Sequence, residues 1–364
     1  MEIINFLTKK GALWGDTAGQ RQRVIAYGKP TELDDTFDEE RQAMARLGIA
    51  YRGERDTIVG LGEDLIPLIQ GLVTGDVYTL IESGSGMKTC AVNINGRLVF
   101  DVRFLHINAL LLLDFEAGTM DAGLLSHFKK NIINEDVRFI DRSEGVVKTL
   151  LCGSEASDTL SKIATLDSTP DSLQIFDGMS GAFEGDDIII QRVDFGEVAA
   201  FEVTISRDAF IPFFEAAMAQ NARPVGERCL ESVRIEQAIP RFSVDPSTTL
   251  FGVELSDKII PLEAELNDWI SFTKGCYLGQ EIIARLDSRG EPAKKLRRFK
   301  SSEAIHVGDL LFHQGKKVGE VVSCLLLNDV FIANAYIKRG ANEPGTLVAL
   351  NTKDALENLE VLPF

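Results

Sequence analysis

Lys274-Gly275-Cys276-Tyr277-Leu278-Gly279-Gln280-Glu281 is the most informative stretch of this 364-residue chain. Two glycines, a cysteine and an adjacent Gln-Glu pair share one short segment, a composition with no obvious use in a purely structural loop. Gly275 and Gly279 free the backbone for angles that side chains forbid, so the loop is expected to approach another surface closely. Lys274 beside Cys276 gives a permissive, locally positive setting of the kind that favours a reactive thiolate. No histidine lies nearby in sequence, so a Cys-His nucleophile is not indicated. Most lone cysteines are inert core residues, and the case for Cys276 rests on its motif. Gln280 and Glu281 are expected to hydrogen-bond the loop itself.

Working outward, helices and strands alternate irregularly, which indicates an α+β chain rather than a βαβ series. Thr36-Phe37-Asp38-Glu39 reads as a capping box opening a helix that stops at Gly48. A helix begins near Asp64, with Leu65, Leu68, Ile69 and Leu72 on one face, and another carries Leu124, Leu125, Phe128 and Ile132. Asn95-Gly96 between the alternating runs Thr89–Ile94 and Arg97–His106 is a strong hairpin signal. Ile188–Phe195 and Phe201–Ser206 read as strands. Phe210, Phe213, Phe214, Ala217 and Met218 fit a helix, and Pro224–Glu236 reads as a helix with proline in its first turn. After about Arg297 the pattern changes to short strands and glycine turns, the mark of a small β-barrel or sandwich.

A chain of this length exceeds one ordinary core and implies two or three domains. The net charge of −17 disfavours direct binding to nucleic acid or anionic lipid. Lys294-Lys295-Leu296-Arg297-Arg298 is the one dense basic run, readable as a solvated edge or a clamp for one anionic ligand. No apolar run approaches the ~20 residues that span a bilayer, and Met1-Glu2-Ile3-Ile4-Asn5 has no signal-peptide pattern. The five cysteines are scattered and never in a CxxC pair. That spacing argues for a reducing compartment and against a disulfide framework, a zinc site or a resident iron–sulfur cluster. Gly84-Ser85-Gly86-Met87-Lys88-Thr89 lacks P-loop spacing, and Gly60-Leu61-Gly62 lacks the third glycine of a dinucleotide fingerprint. The four histidines show no ligand spacing and read as structural.

The Lys274–Glu281 block resembles the signature of the YgfZ family, folate-binding proteins of iron–sulfur cluster maintenance, within the superfamily of the glycine-cleavage T-protein, an aminomethyltransferase. Tyr27-Gly28-Lys29-Pro30, the run from Arg55 to Asp64, Leu72-Val73-Thr74-Gly75-Asp76-Val77 and Asn93–Asp101 are similar to further segments of that superfamily. The resemblance implies a three-domain cloverleaf around a folate channel, with a discontinuous first domain, a ferredoxin-like second domain and a small C-terminal β-barrel. On this basis residues 1–296 form the folate-binding region, as two interleaved α+β domains, and 297–364 the barrel.

Four further residues carry the expected chemistry. Asp101 shares a strand face with Val99, Arg103 and Leu105; from the residues alone it is an edge-strand carboxylate answered by Arg103. The resemblance implies instead a carboxylate facing the pterin, able to stabilise an iminium or a proton in transit. Glu202 alternates with Phe201 and Val203, an ordinary polar-face glutamate by pattern. By resemblance it accepts from the amino and ring N–H groups of the pterin. Phe195 stands where relatives carry a tyrosine and keeps only the capacity to stack. Arg234 would pair a folate carboxylate or brace the channel, with Glu236 orienting a neighbour; a helix-end ion pair is the plainer alternative.

These residues imply a cytoplasmic protein that binds tetrahydrofolate, or its 5,10-methylene or 5-formyl derivative, and supports iron–sulfur client or assembly proteins. The pterin would lie near Asp101, Glu202 and Phe195, with Cys276 near a channel mouth. Glycine-cleavage-type aminomethyl transfer with Asp101 as the polar catalytic group is the alternative, and a folate-free scaffold a third.

Overall fold

The strand Leu98–Ile107 belongs to two folding units at once. One unit comprises Met1–Ile69, Val77–Lys88 and Val102–Val233, the other Gln70–Asp76, Thr89–Asp101 and Arg234–Phe364. The structure is a computed structural model and describes residues 1–15, 22–29, 33–116, 118–120, 123–243, 251–352 and 355–364.

The first unit is built on a seven-stranded sheet. Its strand order is Thr165–Leu166, Gly178–Phe183, Asp186–Arg192, Ala200–Ser206, Val146–Cys152, Gly48–Tyr51 and Arg223–Pro224. All pairings are antiparallel except the last, where Arg223–Pro224 runs parallel to Gly48–Ile49. Phe201, Val203 and Ile205 send alternate side chains into a core that also takes Phe210, Phe213, Phe214 and Ala217. Those four lie on the helix Arg207–Ala219 at the spacing of one helical face, and Ser206 caps it by accepting from Ala209 N at 3.2 Å. Each fully buried phenylalanine there is worth about 1.5–3 kcal/mol of apolar transfer. In a second sheet, within the same unit, Arg103–Ile107 pairs with Leu110–Asp114, followed by Asp56–Leu61 and Arg138–Asp141.

In the second unit, Asn93 organises the hairpin turn: its Oδ1 accepts from Asn95 N and Arg97 N, and its carbonyl accepts from Gly96 N. The C-terminal sheet has six strands, in the order Lys294–Ser301, Val330–Lys338, Lys316–Leu327, Leu310–His313, Leu347–Leu350 and Leu359–Glu360. A bridge from Arg298 to Leu362 links its first strand to the chain beyond its last, so the sheet is nearly a closed barrel. Its core includes Phe299, Leu311, Val321, Ala333, Ile337 and Val361.

Several boundaries differ from the sequence expectations, each for a local reason. The helix Leu33–Arg46 starts before Thr36, which therefore lies in its first turn rather than at its cap. The helix expected to open at Pro224 starts later: Pro224, lacking an N–H, takes a strand-edge position, and the helix is Glu227–Glu236. The strand expected to reach Phe195 ends at Arg192, because the loop turns at Phe195–Val198. The helix near Asp64 is short, Leu65–Gln70, and Leu72 lies beyond it. Pro30 is outside the described residues.

Candidate functional site

Glu202 lies on the strand Ala200–Ser206 of the first unit, with its side chain only 4% exposed. The residues around it come from separate strands. Arg103 and Asp114 face each other across the antiparallel pair Arg103–Ile107 and Leu110–Asp114. Lys148 comes from Val146–Cys152, which pairs with the Glu202 strand, and Arg55 from the turn ahead of Asp56–Leu61. Arg103 Nη2 donates to Glu202 Oε1 at 2.6 Å, and Lys148 Nζ lies 3.4 Å from the same oxygen. Arg55 Nε stands 3.7 Å from Glu202 Oε2, and no described residue donates a hydrogen bond to that oxygen.

Asp114 is treated differently. Arg55 donates to it from Nε at 3.1 Å and from Nη2 at 2.6 Å, Arg103 from Nε at 2.7 Å, and Lys148 Nζ and Arg103 Nη2 make further short contacts. Both its oxygens are engaged. Burial alone would push its carboxyl up, but Arg103, Arg55 and Lys148 hold it well below the usual carboxylate range. For Glu202, burial and the repulsion of Asp114 are outweighed by Arg103, Lys148 and Arg55, so it too is held below the usual value. Arg55 also pairs with Glu116.

Phe195, in the same unit, is half-buried and packs against a core that includes Met44, Val193, Val225 and Val233. Asp101, Arg234 and the octapeptide belong to the second unit. Asp101 is a buried carboxylate, 5% exposed, on the strand Leu98–Ile107. Arg103, the expected answer to Asp101, has its guanidinium committed to Asp114 and Glu202. Arg234 lies in the last turn of the helix Glu227–Glu236 and donates to Glu254 Oε2 at 2.6 Å and to Ile239 O at 2.8 Å. Glu254 also accepts from Arg241 N, Ser323 and Asn334, so Arg234 makes the helix-end ion pair of the plainer reading, on a carboxylate shared with two strands of the C-terminal sheet. The run 294–298 is neither a free edge nor an anion clamp. Lys294 lies over the Tyr336 ring at 4.6 Å, Arg297 Nε donates to Asn342 O at 2.7 Å, and Arg298 Nη1 donates to Glu236 O at 2.9 Å.

The octapeptide is a loop that runs into the helix Gln280–Arg289. Lys274 is buried, and its ammonium donates to three backbone carbonyls: Gln70 O at 2.7 Å, Val73 O at 2.9 Å and Gly75 O at 2.7 Å. Burial pulls it down to about 8, against the partial opposition of Asp76. Tyr277 is buried with Lys274 Nζ 5.1 Å from its ring, and Leu278 N donates to Gly71 O at 3.1 Å. Gly279 has φ +80°, and a Cβ there would stand 2.3 Å from Asn93 O, so only glycine fits. Gly275 has no such need, since a Cβ there would meet nothing within 4 Å. Cys276 is exposed between them. Gln280 donates its backbone N–H to Tyr277 O, but neither the Gln280 nor the Glu281 side chain hydrogen-bonds a described residue. Glu281 instead sits in the first helical turn, where a negative charge suits the helix dipole.

Sequence reading missed Arg55, Asp114 and Lys148 as site residues and took Arg103 only as a partner for Asp101. The available signal was a charge inside a mostly apolar strand: Asp114 after Leu110–Leu113, and Lys148 in Val146-Val147-Lys148-Thr149-Leu150-Leu151. Among the described residues no group of His, Cys, Asp or Glu side chains is arranged to hold a metal ion, and no helix is long and apolar enough to cross a membrane.

Comparison with known proteins agrees with this architecture. An aminomethyltransferase of Thermosipho melanesiensis is 25% identical over 368 aligned residues, covering 98% of this chain and 94% of that protein. One from Geobacillus kaustophilus is 26% identical, covering 87% and 86%. The crystal structure of glycine cleavage system aminomethyltransferase T from Bartonella henselae superposes with a TM-score of 0.82 at 17% identity, over 100% of this chain and 96% of that one. The fold is therefore that of the glycine-cleavage T-protein, with mixed α and β content and the nearly closed C-terminal barrel. The sequence pattern of the GCVT N-terminal domain family matches residues 3–274, three-quarters of the chain, and the protein belongs to that family.

Proposed function

We propose that this protein binds a reduced folate and acts as a folate-dependent aminomethyltransferase of the kind its relatives are named for. The observation that carries the folate reading is the Glu202 carboxylate. One of its oxygens is pinned by Arg103, and the other accepts from none of the described residues. A buried, charged acceptor of that kind fits the paired amino and ring N–H donors of a pterin. Phe195 offers a flat apolar face, and Asp101 a buried carboxylate for proton handling. Tetrahydrofolate, when bound, would supply the nitrogen that takes up the one-carbon group. The aminomethyl part of the reading is supported by the names of relatives that match almost end to end.

A second reading is favoured by one specific observation. Cys276 stands exposed on a loop whose lysine is turned inward to three carbonyls, a costly arrangement for a segment without a task. It supports a tetrahydrofolate-binding protein that serves iron–sulfur cluster assembly or repair in client enzymes.

Anaerobic calorimetric titration with tetrahydrofolate and its 5,10-methylene and 5-formyl forms tests both. Saturable binding followed by turnover of a protein-bound aminomethyl donor supports the transferase. Binding without turnover, together with loss of cluster-enzyme activity in a deletion strain, moves the assignment to the second reading. No binding to any form removes both.

A further inference from the structure

Two buried carboxylates of the first unit share the same cations and end in different states. Asp114 is engaged on both oxygens by Arg55, Arg103 and Lys148. Among the described residues, Glu202 is hydrogen-bonded on Oε1 alone. The difference lies in Arg103, whose planar fork reaches both groups: Nε and Nη2 address Asp114, and Nη2 also donates to Glu202 at 2.6 Å. Asp114, opposite Arg103 in the strand register, fixes the plane of the guanidinium. That plane in turn fixes the Glu202 carboxylate. A lysine at 103 would keep the charge but lose the fork.

We propose that Arg103 is a positioning residue for folate, anchored by Asp114, which pins one oxygen of Glu202 and leaves the other to accept from the donor edge of the pterin. This inference rests on the folate reading above. Four charged groups face Glu202. Arg103 comes from the strand opposite Asp114, Asp114 from Leu110–Phe115, Lys148 from Val146–Cys152 and Arg55 from the turn before Asp56–Leu61. With Arg103 in place the cations outweigh burial and keep Glu202 an anion. Without it, burial and Asp114 act against Lys148 and Arg55 alone, and Glu202 takes up a proton at a higher pH.

The test is tetrahydrofolate affinity of the full-length protein between pH 6 and 8, for wild type, Arg103→Met and Arg103→Lys, with urea unfolding of each. The wild type should bind with little dependence on pH from Glu202. Arg103→Met should bind at least about tenfold more weakly at pH 8, and progressively more weakly toward pH 6, as the acceptor is lost. Arg103→Lys should lose about three- to tenfold with a wild-type pH profile, because the charge stays and the alignment goes. A purely structural arginine would move the unfolding midpoint but not the pH profile of binding. Equal affinity and equal pH dependence in the variants would overturn the positioning role while leaving the folate reading intact. If Arg103→Met does not fold, Arg103→Lys decides, since wild-type affinity there overturns the proposal. Absence of binding by the wild type would defeat the folate reading, and this inference with it.

Discussion

The charged seam of the first unit and the octapeptide of the second bury cations by opposite means. In the seam, Arg55, Arg103 and Lys148 are neutralised by Glu202 from one strand and by Asp114 and Glu116 from the end of another. In the octapeptide, Lys274 meets three carbonyl dipoles drawn from one short stretch, Gln70–Gly75. Taking an ion from water costs several kcal/mol in either place. Formal charges repay it in the seam, so each member depends on all the others. Partial charges of backbone repay it in the loop, so the dependence stays between two segments. A seam variant should therefore disturb the unit, whereas an octapeptide variant should disturb a loop.

Asp114→Asn is the severest test of that contrast. It leaves three buried cations sharing the remaining carboxylates, and it should lower unfolding free energy by about 3–5 kcal/mol. Urea denaturation measures this directly, and a loss below about 1 kcal/mol would mean the seam is not mutually dependent. Lys274→Met should cost less, about 2–3 kcal/mol, because removing the cation also removes its own desolvation while stranding the carbonyls. Hydrogen exchange should show faster opening at Gly71–Gly75 and at Leu278 than elsewhere. Uniform acceleration across both units would erase the distinction.

The same contrast explains what could be read from sequence. The octapeptide and the Asn95-Gly96 turn were legible because their meaning is local: Gly279 needs its positive φ, and Asn93 closes its own turn. Glu202 and Asp101 were singled out through resemblance and strand alternation, and what the structure shows of them is that both carboxylates are buried. The seam was not, because Arg55, Arg103, Asp114 and Lys148 are 93 residues apart at the extremes (148 − 55) and meet only through strand pairing. Asp101 and Arg103, two apart on one strand, suggested a pair that the fold did not form with this arginine. Gly275 shows the converse error, a glycine given a conformational reason it does not have.

Acid and base should separate the two regions by sign. Asp114 has a folded pKa well below its unfolded value of about 3.9. Its contribution is present above about pH 4 and is lost as pH falls below that through the folded value. Lys274 is held down to about 8, against about 10.4 in the unfolded chain. Between those values the unfolded state binds more protons, so stability rises with pH from about 8 to 10.4. Midpoint-against-pH curves should lose the acid slope in Asp114→Asn and the alkaline rise in Lys274→Met. An alkaline rise that survives in Lys274→Met would assign it to another group.

The smallest effect on stability should come from Cys276→Ala, and its smallness is what makes it informative. The side chain is exposed, and its neighbour Gly275 has open space around it. The substitution should therefore change unfolding free energy by no more than about 0.5 kcal/mol. Folate affinity should also hold, since the thiol is not among the groups proposed to bind the pterin. Against that quiet background any functional loss belongs to the sulfur itself. If the protein is an aminomethyltransferase working through Asp101, turnover in Cys276→Ala stays at the wild-type level. If it maintains iron–sulfur enzymes, the variant fails to restore their activity in a deletion strain although it folds and binds folate. Restoration at the wild-type level would leave Lys274 holding a loop whose exposed thiol has no part in the reaction.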